Sequence, residues 1–332
     1  MNILFLKEGD LGGVLMLTPA IRALNKQGHK VYLVVSAGSE SDNIQNLLYD
    51  FEYIEDVKGF NSTKERNGDN TIAWIVQKKI DICIQSYPGG EGFKWLYPYL
   101  NCESIRRAPK KIKDVQHEVD VNLEMVKDLV DQDCGSLYSI PHYKIDVVDN
   151  LFDSYKDKIK VILCPNYKKD GVDIKKHWGI VNYARLINLL SDDYQAILID
   201  DSDGIGVCNH INHLAPSALN LAGLLTLKEC IAAMNYADVV IANNSYFAHI
   251  ATGIDKPLMA LFDVKSLEAG RPIGPKAIIL KSEAPAHDCF SASPHEGCFC
   301  VGAIPADNVY NAIVKYILPE IDKEKKKQPV GV

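Results

Sequence analysis

No run of apolar residues approaches the ~20 needed to span a bilayer, so the sequence predicts no membrane-spanning helix. Positive charge is in deficit: 36 Lys and Arg stand against 43 Asp and Glu, a formal charge of −7. A surface of that sign repels polyanions, which excludes nucleic acid as the main partner. Cys-x2-Cys pairs are missing, and with them the common zinc sites. The nine cysteines are an odd number. Six of them, Cys83, Cys102, Cys134, Cys164, Cys208 and Cys230, are scattered and read as reduced thiols of a cytoplasmic protein. The opening MNILFLKEGD has no positive segment ahead of a long apolar stretch, so no secretory leader is expected. Neither a G-x-G-x-x-G fingerprint nor a P-loop Lys-Ser/Thr follows a leading strand, which argues against a dehydrogenase or a P-loop nucleotidase.

What is present is 47% hydrophobic and 24% charged residues over 332 positions, an ordinary globular composition with material for about two domains. Short apolar runs alternate with helical spacing. Residues 2–6, 30–35, 53–57 and 81–84 read as strands; 14–27, 43–48, 72–78 and 118–130 read as helices. Residues 134–158 show no sustained period and read as a linker. The alternation then restarts, with strands at 160–164, 194–199, 238–242 and 257–262 and helices at 181–190, 227–236 and 247–253. This pattern predicts an α/β protein with parallel sheets covered on both faces, in two domains, 1–145 and 146–332. Ligands of such sheets bind at the carboxyl ends of the strands, where loops feed helix N-termini.

Several motifs stand at those positions. The stretch KEGDLGGVLMLTPAIRAL, Lys7 to Leu24, puts three glycines between a strand and a helix. His117-Glu118-Val119 with Asn122-Leu123, Lys176-His177-Trp178, Asn220-Leu221-Ala222-Gly223 with Leu227, and Asn243-Asn244-Ser245-Tyr246-Phe247-Ala248-His249 before Pro257 and Leu261-Phe262 follow in order. Together they resemble the ADP-heptose:lipopolysaccharide heptosyltransferases, glycosyltransferase family 9, over nearly the whole chain. The resemblance implies a GT-B fold, two Rossmann-like domains facing across a central cleft, with the acceptor on the first and the nucleotide sugar on the second. It also implies an inverting, metal-independent transfer that needs no cofactor.

The same resemblance assigns the site. The family's catalytic base is an Asp where this chain has Gly13; Asp10, three residues earlier, reads either as its substitute or as an ordinary N-cap, with Glu8 as the second candidate. Lys176 matches the lysine that engages the diphosphate, or is a solvated surface lysine. Asn166, Asn244, Ser245 and His249 complete the donor side; Asn244 stands at the family's Asp and Tyr246 at its Gly, and His249 has a core or capping role as its other reading. Asp200-Asp201 place two carboxylates where small residues are usual. Gly9, Gly12, Gly13 and Tyr87 form the acceptor side.

Two clusters lie outside this scheme. Cys289, Cys298 and Cys300, with His287 and His295 nearby, read as packed thiols rather than a metal site. The basic run Arg106-Arg107-Ala108-Pro109-Lys110-Lys111-Ile112-Lys113 reads as a solvated loop or as a face for an anionic acceptor or the inner membrane surface. The activity expected is transfer of a sugar, heptose first, from a nucleoside diphosphate, ADP first, to a hydroxyl of a glycan, lipid-linked or protein acceptor. The alternative is a catalytically silent relative that binds nucleotide sugar or a partner protein.

Overall fold

The structure, a computed structural model, describes residues 1–61, 69–87, 92–109, 116–131, 135–165, 177–263, 266–282, 292–293, 297–298 and 301–319. The chain forms two compact units: Met1–Pro141 with Glu268–Ile273, and His142–Leu267 with Gly274–Val332. Among the described residues no helix is long and apolar enough to cross a membrane.

In the first unit, β1 (Asn2–Glu8), β2 (Lys30–Ser36), β3 (Asp56–Phe60), β4 (Ile82–Gln85) and β5 (Ser104–Arg107) form one parallel sheet in the order β3-β2-β1-β4-β5. The middles of β1 and β2 are unbroken apolar runs, buried at every position, as a sheet covered on both faces requires. α1 (Leu11–Lys26) begins earlier than its apolar spacing suggests, because Asp10 caps it and Gly12 and Gly13 enter its first turn. Pro19 inside α1 cannot donate to the carbonyl four residues back; Thr18 Oγ1 takes that carbonyl of Leu15 instead, at 2.7 Å. α2 (Ser41–Leu48), α3 (Asp69–Gln77) and α4 (Glu118–Glu124) complete the unit. β3 lies later than the expected 53–57, since Phe51 and Ile54 close turns onto Leu48 and Phe51.

The second unit opens with α5 (Asp146–Asp153), inside the stretch read as a linker. Val148 and Phe152, four apart, form its buried face, and Phe152 stacks on Tyr236 at 4.9 Å. Then come β6 (Ile159–Cys164), α6 (Ile180–Leu189), β7 (Tyr194–Leu198), α7 (Ile205–Leu214), β8 (Leu219–Asn220), α8 (Leu227–Met234), β9 (Val239–Asn243), α9 (Tyr246–Gly253), β10 (Leu258–Phe262), β11 (Ala277–Lys281) and α11 (Ala306–Ala312); α10 (Leu267–Gly270), between β10 and β11 in the chain, belongs to the first unit from Glu268 onward. The sheet runs β11-β10-β9-β6-β7-β8, all parallel. Trp178, fully buried, anchors the core: its Nε1 donates to Ile304 O at 2.7 Å and its ring meets Tyr183 edge-on at 4.8 Å.

Counted within each unit, both sheets wind alike, outward from the first strand and then back to its other side. The order therefore reverses between β1 and β4 in one unit and between β6 and β9 in the other. Loops leaving those strand pairs diverge, and each pair opens the crevice in which such sheets hold ligands.

Candidate active site

In the first unit β1 ends on Lys7 and Glu8, and Gly9 turns the chain at φ +115°, a left-handed conformation that favours glycine. Asp10 Oδ1 then accepts the Gly13 amide at 3.0 Å. Lys7 is 1% exposed, where an unpaired ammonium would be strongly unfavourable. Its Nζ donates to Glu118 Oε1 at 2.5 Å and to the Tyr87 carbonyl. One side chain thereby ties the ends of β1 and β4 to the first residue of α4. Gly13 leaves room for that pair, since a Cβ there would stand 3.0 Å from Lys7 Nζ and 3.5 Å from Glu118 Oε1.

Burial pushes the Glu118 carboxyl above its usual range; Lys7 pulls the other way and the charge of Asp10 adds to the rise. His117 holds this helix start in place. Its Nδ1 accepts the Val119 amide at 3.1 Å and its Nε2 meets Arg271 O at 2.8 Å, so the ring is neutral with its proton assigned to Nε2. Burial lowers its pKa, in keeping with that state. Glu8 Oε1 is buried with no hydrogen-bond partner among the described residues, and a Cβ at Gly92 would fall 1.6 Å from it.

In the second unit the strand ends at the reversal, β6 and β9, are joined by a neutral side chain. Asn243, closing β9, donates from Nδ2 to Pro165 O at 2.5 Å and accepts Tyr183 OH at 2.9 Å. Asn244 Nδ2 donates to Ser266 Oγ at 2.8 Å, and Ser266 is itself fixed by Asp263. Ser245 is the N-cap of α9, yet its hydroxyl makes no cap bond and is buried with no hydrogen-bond partner among the described residues. The helix dipole and that hydroxyl together suit an anion. Tyr246 OH donates to Asp201 Oδ2 at 3.1 Å, and Asp201 Oδ1 accepts the Asp203 amide at 2.9 Å. Asp200 is wholly buried beside Gly204, where a Cβ would be 2.2 Å from its Oδ2. Burial raises the nearby Cys164 and Cys208 thiols, Asp200 adding to the effect, so both stay protonated and unreactive. His177 Nδ1 accepts the Gly179 amide at 3.0 Å, and burial lowers its pKa to about 4.

The sequence model for glycosyltransferase family 9 (heptosyltransferase) matches residues 92–299, more than half of the chain. The chain belongs to glycosyltransferase family 9. The lipooligosaccharide heptosyltransferase 2 of Haemophilus influenzae is 30% identical to it over 112 residues, which are 32% of this chain and 32% of that relative. The chain is thus aligned with about a third of the length of the curated relatives it matches. The structure of Escherichia coli ADP-heptose LPS heptosyltransferase II superposes with TM-score 0.72 at 16% identity, covering 97% of this chain and 100% of that one. A family 9 glycosyl transferase from Veillonella parvula gives TM-score 0.77 at 15% identity, covering 96% and 97%. Identities this low speak to the fold, which is the α/β GT-B class the sequence predicted.

Of the residues nominated from this family 9 sequence, Gly9, Asp10, Gly13 and Tyr87 gather at the carboxyl ends of β1 and β4, with Gly12 buried in α1. Asn244 and Ser245 stand between β9 and α9; His249 is 3% exposed within α9. Asn166 and Lys176 lie outside the described residues, as do Cys289, Cys300, His287 and His295 and the side chain of Cys298. The basic run begins on β5 rather than in a loop. Arg106 grips Asp128 through bonds of 2.6 and 2.9 Å, and Arg107 lies 5.7 Å from the Tyr97 ring centre, so these two cations are engaged within the unit. Residues 110–113 of the run are outside the described residues. Sequence reasoning gave Lys7, His117, Glu118 and Tyr183 no chemical part. One signal was there: a lysine closing the buried run ILFL needs a carboxylate partner, and Glu118 opens the helix that packs on α1.

Proposed function

We propose that this family 9 chain transfers heptose from ADP-heptose to a sugar hydroxyl of a lipopolysaccharide-type glycan, with inversion at the anomeric carbon. Membership of the family carries the reading, because it fixes the reaction class. Two sources support the choice of substrates: the partial identity to a lipooligosaccharide heptosyltransferase, and the name of the superposed ADP-heptose enzyme. The donor's diphosphate sits at the N-terminus of α9, where the helix dipole and the Ser245 hydroxyl, which has no hydrogen-bond partner among the described residues, meet its charge. Asn244 and His249 shape that end of the unit, and Lys176 and Asn166 are the remaining donor contacts of this proposal. Gly9, Gly12, Gly13 and Tyr87 receive the acceptor.

In the reaction the acceptor oxygen attacks the anomeric carbon as the bond to the diphosphate breaks, and ADP leaves with that electron pair. The acceptor proton passes to a carboxylate beside Gly13. Asp10 and Glu118 are the candidates there. The enzyme is a cytoplasmic protein that meets lipid-linked acceptor at the inner membrane face, and its transfer proceeds without a metal ion. A second reading has one observation in its favour: the buried Tyr246 ring, pinned by Asp201, occupies the first position of α9, as in a silent relative that binds nucleotide sugar only. The experiment is acceptor-dependent release of ADP from ADP-heptose, using lipopolysaccharide truncated before its first heptose, with EDTA present. Turnover is expected. Donor-induced thermal stabilisation without turnover would establish the silent reading instead.

A further inference from the structure

We propose that Glu118, delivered by the start of α4 and held by Lys7, is the catalytic base of the transfer, and that Asp10 serves as the cap of α1. This rests on the transferase reading above and deepens it by naming the residue that takes the proton.

Three carboxylates stand near the end of β1, and their surroundings differ. Asp10 is exposed, and its Oδ1 is engaged by the Gly13 amide at a helix N-terminus. That bond is the geometry of an N-cap, which commits this oxygen to the helix start. Glu8 Oε1 is buried against the backbone at Gly92, and no cation holds it among the described residues. Glu118 is different in both respects. Lys7 Nζ holds Oε1 at 2.5 Å, which fixes the carboxylate, and Oε2 has no hydrogen-bond partner among the described residues. The side chain keeps 10% exposure while that of Lys7 has 1%, so the acid is the member of the pair that solvent or substrate meets.

The location fits as well. Lys7 also holds the Tyr87 carbonyl, at the divergence of the β1 and β4 loops, and Glu118 Oε1 is 3.5 Å from where a Gly13 Cβ would stand. Glycine at 13 is therefore the residue that admits the Lys7–Glu118 pair. Burial, which raises the Glu118 carboxyl, moves it toward the proton affinity a base at neutral pH needs, while Lys7 pulls the other way. In the step, the acceptor O–H proton moves to Oε2 as the acceptor oxygen bonds to the anomeric carbon, and ADP departs with the electrons of the broken C–O bond. His117 and Lys7 are positioning residues: they aim the carboxylate and do not touch the acceptor.

The test compares the full chain with Glu118→Gln, Glu118→Asp and Asp10→Asn in acceptor-dependent ADP release from ADP-heptose with heptose-free lipopolysaccharide, each across pH. Glu118→Gln is expected to lose about 100-fold or more in kcat with little change in KM, and to lose the acid limb of the parent's pH profile. Donor-induced thermal stabilisation should stay intact. Asp10→Asn is expected to lose less than Glu118→Gln. Should Glu118→Gln fail to fold, Glu118→Asp carries the test: it keeps the ion pair, withdraws the carboxylate by one methylene, and is expected to lose roughly tenfold or more in kcat at an unchanged melting temperature. An active parent with either Glu118 variant within about threefold of it, or with Asp10→Asn the more damaging change, overturns the assignment alone. A parent without turnover overturns both the transferase reading and the base.

Discussion

The two units are wound alike and finished differently. At each reversal of strand order a side chain from one central strand reaches the carbonyl following the other: Lys7 to Tyr87 O in the first unit, Asn243 to Pro165 O in the second. Each unit also has a buried, neutral histidine whose Nδ1 takes the amide two residues on, His117 from Val119 and His177 from Gly179. The chemistry of the cross-link is what differs. In the first unit it is a buried ion pair with Glu118; in the second it is an amide held by the Tyr183 hydroxyl. A charged link keeps a carboxylate at hand, as proton removal requires. A neutral link adds no charge of its own at the α9 terminus, where a diphosphate would meet the helix dipole.

The sharpest way to break this comparison is Lys7→Ala, which leaves Glu118 buried and unpaired. About 3–5 kcal/mol of stability should be lost in chemical denaturation of the full chain. A loss below about 1 kcal/mol would mean that the pair is not the structural keystone described. Next comes pH. The folded-state pKa of His177, about 4, lies below its ordinary 6.5, so its contribution is fully present above pH 6.5 and disappears as pH falls through 4. That amounts to about 3 kcal/mol, read as a fall in melting temperature from pH 7 to 4 that His177→Gln flattens; an equal fall in the variant would place the acid sensitivity elsewhere. The smallest effect is Tyr183→Phe, which strips Asn243 Oδ1 of its donor and should cost about 1–3 kcal/mol. A cost matching that of Lys7→Ala would erase the distinction between a charged and a neutral link.

Much of this architecture was legible from residue order. Unbroken apolar runs such as ILFL and VYLVV announce doubly covered parallel strands, and the family 9 motifs, taken together, pointed to the fold. Other elements were hidden for identifiable reasons. The short α5 has only Val148 and Phe152 to mark its buried face, and α7 mixes Val207, Cys208 and Ile211 with His and Asn that blur its period. β5 is an edge strand whose residues are largely exposed, so it lacks an apolar signature altogether. The start of α1 was masked by Gly12 and Gly13, poor helix formers that Asp10 recruits by capping. At the site, residues contiguous with a motif were found and those brought together by folding were not. Lys7 and Glu118 are 111 positions apart, and only the winding of the sheet makes them neighbours.

The most direct test of the whole account is whether the purified chain, given ADP-heptose and lipopolysaccharide truncated before its first heptose, releases ADP only when both are present. The account predicts acceptor-dependent release together with a heptose-extended glycan. Donor binding with no release under any acceptor, in a chain that is folded, would contradict it.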